Sequence, residues 1–156
     1  MRTFGSPAEL AVAVGETLGP GPWHRIEQSR VDAFAEATGD RQWIHTDPER
    51  AAGGPFGGTI AHGYLTLSLI PALMRDLYTV QGVRMGVNYG LNKVRFPAPL
   101  RTGGAVRASA LIAEVEPVPG GGVQLVVTVM IESDGGGKPV CVAETVSRIY
   151  PEDDAR

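Results

Sequence analysis

His62–Val80, HGYLTLSLIPALMRDLYTV, is apolar through most of its length. Tyr64, Leu65, Leu67, Ser68, Leu69, Ala72, Leu73 and Leu77 leave few polar positions before Arg75 and Asp76. A segment apolar on most sides reads as a buried helix. Pro71 falls inside it and predicts a bend, because its nitrogen cannot donate to the helical ladder. Downstream the pattern changes. Arg84–Tyr89, Leu91–Phe96, Ala105–Val115, Val123–Ile131 and Val140–Ile149 are β-rich runs, punctuated by Gly120-Gly121-Gly122 and Gly135-Gly136-Gly137, which read as turns. No helical segment separates the last three runs, so long antiparallel strands joined by hairpins are expected rather than βαβ units. The predicted class is α+β: a helix buried along a curved antiparallel sheet.

Upstream, Ser6 and Pro7 suit the start of a short helix over Pro7–Val14, which Gly19-Pro20-Gly21-Pro22 then closes off. Trp23–Glu27 reads as a short strand, and Ser29 suits the cap of a helix carrying Val31, Phe34, Ala35 and Ala37 on its apolar side. Gly39 ends that helix and leaves Asp40 at its mouth. From Arg41 to Thr59 periodicity is lost, with one helical turn expected over Pro48–Ala52; a loop of this length points to function. The tail PEDDAR is expected to fray.

The 156 residues fit a single domain, 1–156, with its core at about 25–149, and the 43% hydrophobic content suffices for an ordinary core. Fourteen Lys and Arg against 17 Asp and Glu, a formal charge of -3, supply no general attraction to nucleic acid or anionic membrane. Any anion must be bound locally. Cys141 is the only cysteine, which excludes an intramolecular disulfide and a thiolate metal cluster. The N-terminal run is broken by Glu9 and Glu16, which is poor material for a signal peptide, and no window approaches a membrane span. The expected location is cytoplasmic.

The chemistry is concentrated in Phe34–Ala51, FAEATGDRQWIHTDPERA, which sets Asp40 and His45 five residues apart at a helix exit. A carboxylate and an imidazole so placed can share control of one water. By spacing alone the pair is equally a capping contact. The run GGPFGGTIAHGYLTLSL follows, with a histidine and a glycine at the expected helix start, where free N–H groups receive developing negative charge.

Thr38-Gly39-Asp40, then Gln42-Trp43-Ile44-His45 and Ala51, resembles the signature of the MaoC-like, (R)-specific enoyl-CoA hydratase family. The similarity continues through Ile60-Ala61-His62-Gly63 and Val94-Arg95-Phe96-Pro97-Ala98-Pro99, spanning most of residues 25–149, and is closer to the nodulation protein N-like branch. The resemblance implies a hotdog fold, a long central helix wrapped by the antiparallel sheet, acting as a homodimer with substrate between the subunits. It implies that Asp40 and His45 hold the water added to a trans-2-enoyl-CoA, that Gly63 N–H polarises the thioester carbonyl, and that the product is an (R)-3-hydroxyacyl-CoA. Coenzyme A is then part of the substrate, and no separate cofactor is expected. Where the family pattern has Asn-Pro, this chain has Gln42-Trp43, exchanging proline's fixed φ for a bulky ring; Gln42 keeps an amide for substrate binding.

Other residues extend the site. Phe56, in the glycine run Gly53–Gly58, is placed to cover an acyl chain as part of a mobile flap. Lys93 and Arg95, two apart on a strand, leave one face and suit coenzyme A phosphates. His62 is a capping group or a substrate contact, whereas His24 lacks a partner in sequence and reads as structural. The three histidines have no His-x-x-x-His pair, so no metal site is predicted. The glycine run lacks a Gly-Lys-Ser/Thr ending, no Gly-x-Ser-x-Gly elbow occurs, and Cys141 sits in a predicted strand, which disfavours nucleotide binding, serine hydrolysis and thiol chemistry. An acyl-CoA thioesterase of the same fold and a non-catalytic acyl-thioester binding module are the competing readings.

Overall fold

Four long strands carry the fold. In the computed structural model, which describes residues 1–152, β5 (Val83–Arg95), β6 (Ala105–Val118), β7 (Gly122–Ser133) and β8 (Cys141–Pro151) make one antiparallel sheet in the order β6-β7-β8-β5. The short β2 (Thr17–Leu18) and β3 (His24–Arg25) both pair with β6 and complete six strands. The glycine triplets lie in or beside the expected turns. Only residue 152 of the charged end of PEDDAR is described; fraying of 153–156 lies outside the described residues.

Strand alternation supplies the core: Ala108, Ala110 and Ile112 of β6, Leu125, Val127, Val129 and Ile131 of β7, and Cys141 and Ala143 of β8 are buried on one face. They form one cluster with Leu65, Leu69, Ile70 and Leu73 from His62–Val80. The helix-on-sheet hotdog architecture implied by the resemblance is therefore present. No helix is long and apolar enough to cross a membrane among the described residues.

The long central helix is corrected to two short ones, α4 (Gly63–Ser68) and α5 (Ile70–Met74), joined at Leu69. Pro71 sits in the first turn of α5, where a missing N–H costs least, so the chain restarts a helix around proline instead of bending one through it. Tyr78–Val80 is not helical either. It forms β4, pairing in parallel with β1 (Arg2–Phe4), an N-terminal strand too short to show a period in sequence. Further differences are local: Pro7–Ala13 is a 3₁₀ helix with no side-chain bond from Ser6, and Trp23–Glu27 shrinks to β3. Arg84–Tyr89 and Leu91–Phe96 merge into β5, with register shifts either side of Gly90.

The helix before the site is α1 (Gln28–Thr38), which starts after Glu27 rather than Ser29 and buries Val31 and Ala35. Gly39 ends it as expected, at φ 79° with its N–H donating to Ala35 O at 2.9 Å. The loop Arg41–Thr59 contains the expected turn, α3 (Pro48–Ala52), and a further one that the sequence did not indicate, α2 (Trp43–Thr46). Asp47 caps α3 through Oδ1, which accepts from Arg50 N–H at 3.0 Å.

Candidate active site

His45 occupies α2, a single turn whose backbone is tied back to Gln42: His45 N–H donates to Gln42 O at 2.9 Å. The ring is 6% exposed. Its Nδ1 lies 2.7 Å from Ile60 O. A carbonyl only accepts, so Nδ1 carries the proton and Nε2 keeps a lone pair, the tautomer a general base requires. Burial is the largest influence on this imidazole and lowers its pKa below the ordinary 6.5, aided by the neighbouring His62; the Ile60 bond and Asp40 oppose.

Asp40 is exposed, just past Gly39. A carboxylate oxygen of Asp40 and a ring nitrogen each of His45 and His62 lie within 4.8 Å of one another. The five-residue spacing thus does fold back on itself. His62, 2% exposed, stacks on His45 with centroids 3.8 Å apart and planes at 25°. Its Nε2 lies 2.9 Å from the backbone carbonyl of Asp40. Stacking of this kind disfavours a metal: an ion about 2.0–2.1 Å from a nitrogen of each ring would lie well out of at least one ring plane.

His45 and Gly63 line a common cavity of about 310 Å³, together with Phe56, Ile60, Thr66 and Phe96. Gly63 N–H, at the start of α4, donates to no acceptor among the described residues. The absence of a Cβ there is a packing requirement, since one would lie 2.9 Å from Phe96 Cδ2. Since α4 spans only Gly63–Ser68, the polarising power at this point comes from unpaired N–H groups rather than from a long helix's summed dipole.

Of the predicted substrate-binding positions Gln42, Phe56, His62, Lys93 and Arg95, Phe56 alone lines this cavity. Gln42 is exposed and gives its backbone carbonyl to the α2 turn. Trp43, the departure from the family pattern, has Arg50 over its ring at 4.5 Å, and Gly54 packs against it so closely that a Cβ would stand 3.0 Å from Trp43 Cζ3. At the other end of the glycine run, Arg101 Nη2 donates to Gly57 O at 2.5 Å. Phe56 is therefore carried into the cavity wall by a loop held at both ends. Lys93 and Arg95 are exposed on β5, one strand position and more from Phe96. His24 has a partner after all, Asp76 Oδ2 at 2.7 Å, bracing β3 against the turn after α5. Cys141 is fully buried, and burial pushes its thiol up to about 11, which leaves it unreactive as expected.

Several functional contacts escaped sequence reasoning. Gln28 donates to His45 O at 2.7 Å and accepts from Thr59 Oγ1 at 2.6 Å, so the first residue of α1 steadies the backbone of the imidazole. Ile60 and Phe96 act through a carbonyl and a ring face, neither of which has a signature in one sequence. For His62 the signal was its place beside Gly63, without any indication of the partner 22 residues away.

The MaoC like domain profile matches residues 9–133. The chain belongs to the MaoC-like dehydratase family. It is 55% identical to the 3-hydroxyacyl-thioester dehydratase Z of Mycobacterium tuberculosis over 148 residues, covering 95% of this chain and 98% of that protein. It is 40% identical to the nodulation protein N of Rhizobium leguminosarum, covering 95% and 94% of the two chains. An R-hydratase of Pseudomonas aeruginosa, solved unliganded, superposes with a TM-score of 0.66 at 26% identity, covering 90% of this chain and 83% of that one. As a MaoC-like dehydratase the chain is a hydro-lyase, the reaction class that its Gly-Asp and Ile-His steps imply.

Proposed function

We propose that the protein interconverts a trans-2-enoyl-CoA and an (R)-3-hydroxyacyl-CoA, with Asp40 and His45 acting on one water opposite Gly63. The observation that carries this reading is the convergence of an Asp40 oxygen with a neutral imidazole whose cavity also contains the unpaired Gly63 N–H. In hydration, the Asp40 carboxylate accepts a hydrogen bond from the water and orients it. His45 Nε2 takes the water's other proton as oxygen bonds to C3. The C2–C3 π pair moves toward the thioester, and the charge reaching its carbonyl oxygen is received by Gly63 N–H. Protonated His45 then delivers its proton to C2, which returns the imidazole to its starting state and balances the reaction. Dehydration is the same path reversed. Asp40 also stabilises the transient imidazolium, consistent with its opposing the burial effect on His45.

Substrate contacts follow from the same frame. Phe56 and Phe96 offer apolar surface to the acyl chain in the cavity. Lys93 and Arg95 supply exposed cations for coenzyme A phosphates on a chain whose formal charge is -3. No cofactor beyond the coenzyme A of the substrate is required by this chemistry. The test is loss of the enoyl absorbance of C4 to C16 enoyl-CoAs with a chiral analysis of the product. Release of free thiol instead of hydration assigns a thioesterase, and no turnover at micromolar protein assigns a binding module.

A homodimer is part of the proposal. β5 is a sheet edge, and Met85, Val87, Tyr89 and Leu91 on it are 46%, 40%, 59% and 47% exposed, a row of apolar side chains along unpaired backbone. Such an edge favours pairing with a second copy. Val87→Asp with Leu91→Asp is expected to convert the dimer to monomer in sedimentation velocity, with loss of turnover. A wild-type protein that sediments as an active monomer would refute the assignment.

A further inference from the structure

His62 makes three connections at the site. Its Nε2 reaches the backbone carbonyl of Asp40 at 2.9 Å, its ring lies 3.8 Å from that of His45, and its own carbonyl starts α4 by accepting from Thr66 N–H at 3.1 Å. Phe34 closes the other side, at 5.0 Å between centroids. The Asp40 carbonyl only accepts, so His62 carries its proton on Nε2. The Nε2–H of His62 is thus spent on Asp40, and its buried Nδ1 has no partner among the described residues with which to exchange a proton.

We infer that His62 is a positioning residue for the Asp40–His45 chemistry, tethering the backbone that carries the carboxylate and setting the plane of the imidazole. The inference rests on the hydratase reading above. Its physical content is distance: hydration requires one water to meet both groups while Gly63, the next residue in the chain, faces the carbonyl oxygen. A single side chain that contacts Asp40 and His45 and precedes Gly63 fixes all three relative to one another. A displacement of about 1 Å is enough to cost about 10²-fold in rate.

The test compares His62→Ala with His62→Gln, whose amide N–H reaches the place of Nε2 and can still donate to Asp40. His62→Ala is expected to lower kcat for enoyl-CoA hydration by about 10²-fold with KM little changed, and His62→Gln to recover to within about tenfold of wild type. Equal losses in the two variants, or a raised KM with kcat unchanged, would overturn the inference and make His62 a packing group or a substrate contact. If His62→Ala does not fold, His62→Gln decides: kcat within about tenfold of wild type supports the tether, and a larger loss overturns it. A second readout is independent of turnover. Long-range ¹H–¹⁵N spectra of wild-type protein at pH 8, assigned by the resonances lost in His62→Gln, are expected to show His62 as the Nε2–H tautomer and His45 as the Nδ1–H tautomer. An Nδ1–H His62 overturns the inference. Wild-type protein that shows both expected tautomers yet hydrates no enoyl-CoA supports the tether and sinks the hydratase reading alone.

Discussion

Asp40→Asn and His45→Ala are each expected to lower kcat for enoyl-CoA hydration by at least about 10²-fold, the usual range for a general acid or base. The two should not add, because both act on the same water. A double variant no slower than the poorer single variant is the expected signature. Turnover unchanged in either single variant would remove the residue from the mechanism. The pH profile adds a sign. Burial lowers the His45 pKa below 6.5, so the imidazole is neutral at pH 7, and the acid limb of kcat/KM is expected below pH 6.5. Asp40 acts to raise that pKa, so in Asp40→Asn the limb moves further into acid. Stability follows the same linkage. With the folded pKa depressed, the unfolded chain binds the extra proton first, so His45 penalises folding as pH falls through its unfolded value, about 6.5. His45→Ala is expected to flatten that part of the dependence of Tm on pH.

Gly63→Ala is the second large effect. An added Cβ would stand 2.9 Å from Phe96 Cδ2 and 3.0 Å from Cγ, closer than packed carbons tolerate. Either the Phe96 ring or the start of α4 must move. Overpacking of this kind costs about 1–3 kcal/mol, and both Gly63 and Phe96 line the cavity that contains His45. The expected outcome is a lowered Tm together with a fall in kcat of about 10²-fold, the scale for losing one oxyanion donor. Phe96→Ala in the same chain relieves the clash. With Phe96→Ala alone as the reference for its lost acyl contact, a double variant that regains Tm and matches the kcat of Phe96→Ala means that the clash had displaced the N–H; Gly63→Ala with Tm and kcat unchanged would refute both the clash and the donor role.

The parts of this protein legible in its sequence are those set by neighbours a few residues apart. Strand alternation and glycine triplets marked the antiparallel sheet, and Gly39 marked the end of α1, because side-chain direction and left-handed backbone are local properties. The same local character exposed Asp40 and His45 as a pair. The helix from His62 to Val80 shows the limit: its apolar content was read correctly as core, yet apolarity does not say whether the chain continues as helix. Proline at residue 71 and the pairing of Tyr78–Val80 with Arg2–Phe4 divided it, the second through a partner at the far end of the chain. In the loop Arg41–Thr59 the turn over Pro48–Ala52 was legible, marked by its proline, but α2 was not, because four residues are too few to display a period.

Local patterns along the chain thus specify the α+β class, the antiparallel strands, and which carboxylate and imidazole stand together at a helix exit. The state and aim of those groups come from the folded chain: which nitrogen of His45 is protonated, through Ile60; what holds Asp40, through His62; and why Gly63 has no side chain, through Phe96. Each of these contacts joins residues 15 or more positions apart. Such partners meet only after the helices have buried their apolar faces against the sheet, and a hydrogen-bond acceptor or a ring face leaves no periodic trace in the chain that supplies it.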